Sequence, residues 1–137
     1  MTRYPSLVLY IDGSVEGNPG PGAIGVVIEE DDGRPVEAWG EAIGHVTNNQ
    51  AEYQALLAGL RKARQLGATA ASVRSDSQLL VRQFLGEYKV RDEKLKPLHA
   101  EAHRLARAFD TFSIEHIPRE KNRAADRLAN RARLQSS

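Results

Sequence analysis

The spacing of apolar residues divides the chain into nine segments. Leu7-Val8-Leu9-Tyr10-Ile11 is apolar at odd and even positions alike, which predicts a central strand covered on both faces and ending at Asp12. Gly13 to Gly22 is rich in glycine and proline and reads as a loop. Ala23 to Ile28 and Val36 to Ile43 read as second and third strands, joined by an exposed turn at Glu29-Glu30-Asp31-Asp32-Gly33. A helix then starts behind Thr47, whose hydroxyl can cap the first free N–H groups. Gln50, three residues on, can complete a capping box. Leu56, Leu60 and Ala63 recur at helical spacing, and Gly67 is the stop. A short strand around Ala71-Ser72-Val73-Arg74 ends at Asp76. Ser77 to Leu85 predicts a helix stopped by Gly86. Leu95 to Phe109 predicts another, with Leu98, Ala102, Leu105 and Phe109 on one side. Phe112 to Ile117 is the last strand, broken by Pro118. A loop through Arg119 and Lys121 leads to Asn122, the expected cap of a final helix carrying Ala125, Leu128, Ala129 and Ala132. Only Gln135-Ser136-Ser137 reads as frayed.

Three consecutive strands with short connections imply an antiparallel meander. Later strands separated by helices imply right-handed crossovers onto the same sheet. The expected fold is α/β: a mixed five-stranded sheet flanked by helices, in a single domain spanning 1–137. The chain has no cysteine, which excludes a disulfide, a thiolate nucleophile and a cysteine zinc site. No run approaches membrane-spanning length, and Met1-Thr2-Arg3-Tyr4-Pro5 leads into the first strand without a signal-peptide pattern, so a cytoplasmic location is expected. Net charge is +1, but residues 1–50 carry two basic and eight acidic side chains, against seventeen and ten in residues 51–137. The basic second half suits a polyanion.

Charge matters most where it falls on the predicted core. Glu52 lies four residues before Leu56 and eight before Leu60, on the stripe that should be buried. A carboxylate there requires a cation, a metal or a raised pKa, unless it reaches solvent at the stripe's edge. Asp12 and Asp76 end strands, where ligand sites gather in such sheets, and Asp126 follows Asn122 in the last helix. Four carboxylates from four elements can therefore converge at one sheet edge. Without cysteine or clustered histidine, an all-oxygen site suits Mg²⁺ or Mn²⁺. Two such ions about 3.5–4 Å apart would clamp both oxygens of an in-line phosphoryl displacement. Other sites fit less well. The loop at Gly13–Gly22 lacks the Gly-Lys-Ser/Thr ending of a P-loop. The acidic turn lacks EF-hand spacing, and Trp39 reads as packing.

Asp12-Gly13-Ser14, Gly17-Asn18-Pro19-Gly20, Thr47-Asn48-Asn49-Gln50-Ala51-Glu52, Ser75-Asp76-Ser77-Gln78 and Asn122-Arg123-Ala124-Ala125-Asp126 occur in this order over nearly the whole chain. Together they resemble ribonuclease H, type 1. The resemblance implies a ribonuclease H-like fold with that five-stranded sheet. It also implies endonucleolytic hydrolysis of the RNA strand of an RNA–DNA hybrid, leaving 5′-phosphate and 3′-hydroxyl ends. It puts Asp12, Glu52, Asp76 and Asp126 on the family's metal-binding tetrad, served by Mg²⁺ and also by Mn²⁺. It implies that Asn18, Asn48, Asn49 and Gln78 line the minor groove of the hybrid, where amides can sense 2′-hydroxyls. Thr47 resembles part of a pocket for a DNA-strand phosphate. Gly13, Ser14, Gln50, Ser77 and Asn122 belong to the same substrate-binding set. For Thr47 and Gln50, capping chemistry is the alternative role.

Two departures from the family pattern stand out. Many bacterial relatives carry a basic, tryptophan-rich protrusion where this chain has the short Gly86-Glu87-Tyr88-Lys89-Val90-Arg91-Asp92-Glu93-Lys94. Grip on the substrate then falls to Lys89, Lys94, Lys96, Arg119, Lys121 and Arg123, with strongly salt-dependent binding. The second departure concerns the auxiliary residue near the last carboxylate. His116 takes that position by gapless counting. The run from His116 to Asn122 is closer to the family's compact branch, where a loop arginine, here Arg119, takes the role. Three other readings stay open: a nuclease that also cuts double-stranded RNA, a hybrid-binding module without catalysis, and a metal-free acid–base hydrolase. A monomer without membrane attachment is expected.

Overall fold

The computed structural model describes residues 4–136. The leading Met1-Thr2-Arg3 and the expected fraying at Ser137 lie outside the described residues. Three strands come first: β1 (Ser6–Val15), β2 (Gly20–Glu30) and β3 (Pro35–Val46). They are followed by α1 (Asn48–Gln65), β4 (Ala70–Ser75), α2 (Gln78–Phe84), α3 (Lys96–Ala106), β5 (Thr111–His116), a 3₁₀ turn at Arg119–Lys121 and α4 (Arg123–Gln135). The strands form one five-stranded sheet in the order β3-β2-β1-β4-β5. β1 pairs antiparallel with β2 and parallel with β4, so the sheet is mixed as expected. Among the described residues no helix is long and apolar enough to cross a membrane.

β1 is central because both of its faces are covered. Leu9 and Ile11 lie against α1 at Gly59, and α4 packs on the opposite side of β1, β2 and β3. Leu7, Leu9, Ile11, Val26, Ile28, Leu56 and Leu60 are fully buried between sheet and helix. Each such side chain contributes roughly 1.5–3 kcal/mol of burial before entropy is counted. The start of α1 follows its sequence signature. Thr47 Oγ1 accepts from the Gln50 N–H at 3.2 Å, and the Thr47 N–H donates to Gln50 Oε1 at 2.8 Å. Ser77 caps α2 by accepting from the Leu80 N–H.

Several boundaries differ from the expectation. β1 does not end at Asp12 but runs on to Val15, because the hairpin with β2 continues to the pair Val15 and Gly22. The expected ten-residue loop therefore shrinks to residues 16–19, and Asp12 stands inside a strand opposite Gly25. β3 is longer than the Val36–Ile43 run because bulges let it follow β2. α3 covers Lys96–Ala106, leaving Phe109 buried in the turn beyond. The loop through Arg119 is a 3₁₀ turn, and Gln135 is helical.

Gly25 sets how closely α4 approaches the sheet. A Cβ at this position would stand 2.0 Å from the Ala125 carbonyl oxygen and 2.8 Å from the Ala129 nitrogen, both backbone atoms that no rotamer change can move. Gly25→Ala is expected to cost about 3 kcal/mol or more, toward the upper end for overpacking. The urea midpoint would drop at unchanged denaturant slope. A shift below about 0.5 kcal/mol would mean that α4 can withdraw freely.

Candidate active site

Register assembles the acidic cluster. Asp12 lies beside Gly25, the residue on which α4 rests, so its side chain is on the α4 face of the sheet. The parallel register pairs Ile11 with Ser75, which brings Asp76, the next residue after β4, alongside Asp12. Glu52 comes from the second turn of α1. Its Oε1 accepts from the Gly13 N–H at 3.1 Å. A Cβ on Gly13 would meet the Ala51 Cβ at 2.7 Å and the Glu52 nitrogen at 2.9 Å, so only glycine lets α1 come this close. Asp12, Glu52 and Asp76 each offer an oxygen within 4.8 Å of the others. Asp126, in the first turn of α4, has its carboxyl within hydrogen-bond reach of Asp12 but lies outside that triad.

These acids repel one another in a poorly hydrated place. Asp12 is 4% exposed. Burial, then the charge of Glu52, then the Asp126 contact push its carboxyl up to about 9. Burial and the Asp76 charge raise Glu52 to about 8, against the opposing pull of the Gly13 N–H and the Arg119 guanidinium. Such a set is strained unless a cation joins it. The donors are all carboxylate oxygens, the set that hard divalent ions of the Mg²⁺ and Mn²⁺ type take. The residues therefore fit a divalent metal, and Asp12, Glu52 and Asp76 could hold it.

The other residues singled out in the sequence divide into four groups. Asn18, Asn48, Asn49 and Gln78 are exposed, and Asn18 Oδ1 accepts from the Asn48 N–H at 2.9 Å, tying the β1–β2 turn to the start of α1. Thr47, Gln50 and Ser77 are half-buried and serve as helix caps. Asn122 needs correction. It occupies the cap position of α4, but its side chain makes no capping bond and is 1% exposed. Its Nδ2 instead donates to the Ile11 carbonyl at 2.8 Å and to Asp76 Oδ2 at 3.3 Å. It is an internal strut between β1 and the third carboxylate. His116 is the exposed last residue of β5, and Arg119 is exposed in the 3₁₀ turn.

Sequence reasoning missed a second rung between β1 and α4. Ser14 Oγ donates to Asn130 Oδ1 at 2.6 Å and accepts from Arg133 Nε at 2.9 Å. Arg133 also reaches Glu16 at 3.8 Å. Ser14 is two residues beyond Asp12 on the strand, and Asn130 is four beyond Asp126 on the helix. The two periodicities therefore place Ser14–Asn130 parallel to Asp12–Asp126. That spacing was the available signal.

A family model described as "Reverse transcriptase-like" matches residues 10–132. The ribonuclease HI of Halobacterium salinarum is 45% identical over 123 residues, 90% of this chain and 62% of that protein. A bifunctional protein of Mycobacterium tuberculosis is 46% identical over 92% of this chain, which spans only 35% of it. The chain thus spans less than two thirds of the length of these curated relatives. Among solved structures, the RNase H1 of H. salinarum superposes with a TM-score of 0.93 at 42% identity, covering 96% of this chain and 99% of that one. LC11-RNase H1 in complex with RNA/DNA hybrid superposes with a TM-score of 0.91 at 38% identity, covering 96% and 99%.

Proposed function

The chain belongs to the ribonuclease HI family, and from that premise we propose that it is a metal-dependent endoribonuclease. It hydrolyses the RNA strand of an RNA–DNA hybrid and leaves 5′-phosphate and 3′-hydroxyl ends. The observation that carries this is the meeting of Asp12, Glu52 and Asp76 within 4.8 Å, with Asp126 against Asp12. A module that only bound nucleic acid would gain nothing from four acids beside phosphates. Two divalent ions, Mg²⁺ or in its place Mn²⁺, would supply an activated water and stabilisation of the leaving 3′ oxygen when bound.

The protein's own part is to hold charge and geometry. The Gly13 N–H donates to Glu52, and the side-chain amide of Asn122 donates to Asp76. The exposed amides of Asn18, Asn48, Asn49 and Gln78 offer donors and acceptors to 2′-hydroxyls, which separate RNA from DNA. Thr47, at the Asn18–Asn48 junction, suits a phosphate of the opposite strand. Arg119 is the auxiliary residue, since its guanidinium already acts on Glu52. Arg119→Ala is expected to lower kcat by about 100-fold, the low end for the loss of one electrostatic contact to developing charge. His116→Ala is expected to stay within about threefold. The reverse pattern in single-turnover rates would transfer the role to His116.

This reading has the residues 1–137 acting as one ribonuclease H domain, as a monomer in the cytoplasm. Its test is an end-labelled RNA–DNA hybrid with Mg²⁺ or Mn²⁺, beside single-stranded RNA, double-stranded RNA and double-stranded DNA. Cutting confined to the RNA strand of the hybrid, and lost in chelator, is the expected result. Equal cutting of double-stranded RNA would widen the substrate class. Hybrid binding without cutting at any ion concentration would leave only a binding module, and cutting in excess chelator would exclude the metal.

A further inference from the structure

Helix α4 carries a row of cations next to the carboxylate cluster. Arg119 precedes it, and Arg123, Arg127 and Arg131 follow at four-residue intervals, all four exposed. Among the described residues none of the four comes within 4.0 Å of a carboxylate. Asp126 stands between Arg123 and Arg127 in sequence, yet its carboxyl meets Asp12 and pairs with neither arginine within 4.0 Å. Arg119, Arg123 and Arg127, with Glu120, Asp126 and Asn130, line one open cavity of about 510 Å³.

The row is unfavourable in the free protein. Like charges four apart on a helix repel. Arg123 is also the first residue of α4, where the helix dipole disfavours a cation. Arg133, by contrast, is largely buried and tied to Ser14 and Glu16, so it plays no part in the row. A polyanion laid along the helix would remove the repulsion. From Arg123 to Arg131 the rise is about 12 Å, the length of roughly three phosphates of one strand. The row starts where Asp126 meets Asp12, so the strand that follows it is the one entering the carboxylate site.

We propose that Arg123, Arg127 and Arg131 form a phosphate track that holds the RNA strand to one side of the cut. This rests on the function proposed above. It gives the compact chain a grip that does not need a basic protrusion on the α2–α3 connection, whose Glu93 is already paired with Lys96 at the start of α3.

The test is hybrid binding by fluorescence anisotropy from 50 to 300 mM KCl, with Ca²⁺ in place of Mg²⁺, for wild type and the triple variant R123A/R127A/R131A. The salt slope of the triple variant is expected to be shallower by about 2–3, since each neutralised phosphate contributes about 0.9. Affinity at 50 mM should fall at least tenfold, and the triple Arg→Lys variant should keep the wild-type slope. Uncharged methylphosphonates in the RNA strand on one side of the cut should abolish the difference between wild type and triple variant, whereas the same change in the DNA strand should leave it. Thermal melting of the triple variant should match or exceed wild type, which separates lost binding from lost fold. Equal salt slopes, or a difference abolished only by DNA-strand substitution, would overturn the track while leaving the nuclease reading intact. A wild-type protein that neither binds nor cuts hybrid would remove that reading and the track together.

Discussion

Asp12→Asn is expected to abolish hybrid cleavage and to raise the melting temperature of the same protein. The two effects share one cause. Asp12 is 4% exposed, and burial together with the charges of Glu52, Asp76 and Asp126 holds its carboxyl at about 9. Asparagine keeps the shape and cannot ionise. It removes the centre on which three other acids converge, so the folded state gains on the order of 1–3 kcal/mol at pH 7 in the absence of metal. For a chain of this length that is a rise of several degrees. Activity is expected to fall by about 10³-fold or more, because one of the carboxylates that would hold the divalent ion is lost. Asp31→Asn, in the exposed β2–β3 turn, is the control that should change neither. A lower melting temperature for Asp12→Asn would mean that the carboxylate is held by favourable hydrogen bonds and that the strain argument fails.

The same substitution distinguishes two descriptions of the site. If the acids were merely solvated surface groups, neutralising one would have little effect on stability. If they form a cation site built at the expense of fold stability, the metal-free variant gains and the metal-loaded variant does not. Melting with and without Mg²⁺ therefore gives four values. The expected pattern is that Mg²⁺ stabilises wild type markedly and Asp12→Asn hardly at all.

What could be read from the sequence was what depends on near neighbours. The capping box at Thr47 and Gln50 needs only a three-residue span, and the structure contains it. The apolar run from Leu7 to Ile11 correctly marks the doubly covered central strand, since its composition reports burial directly. The end of that strand was misplaced because Gly13 and Gly22 look like loop residues. They are strand residues here, and Gly13 is small so that α1 can approach rather than so that the chain can turn. Asn122 was misread for a related reason. An asparagine before a helix resembles a cap, while its actual partner, the Ile11 carbonyl, is 111 residues away. Ser14 and Asn130 are separated by 116 residues. Pairings of that range are decided by register and helix docking, which no local pattern carries. The convergence of Asp12, Glu52 and Asp76 was legible because each falls on a recognisable motif. The location of Asp126 outside the tight triad was not.

Without divalent ion, the protein should lose stability as pH rises from about 4 to about 9. Asp12 moves from an ordinary 3.8 to about 9 and Glu52 from 4.5 to about 8, so between those limits the folded chain holds protons that the unfolded chain has released. Stability then falls with increasing pH, the opposite of the usual behaviour of a salt-bridged acid. Glu101, drawn down to about 2 by its hydrogen bonds to Arg104 and Arg61, acts only below this window. His103, lowered first by burial and then by the His99 charge, works weakly in the other direction near its ordinary 6.5. The net loss between pH 5 and pH 9 in chelator is expected to be several kcal/mol, since each pKa unit of differential protonation is worth about 1.4 kcal/mol. Mg²⁺ should flatten the profile, because the ion competes with protons for the same oxygens. At a hundredfold excess over its dissociation constant it should add about 2.7 kcal/mol. Urea midpoints at pH 5, 7 and 9, with EDTA and with Mg²⁺, measure both effects. A chelated protein that grows more stable toward pH 9, or one that Mg²⁺ leaves unchanged, would show that the acids are not held together against their own repulsion. The ion would then have to act through the substrate alone.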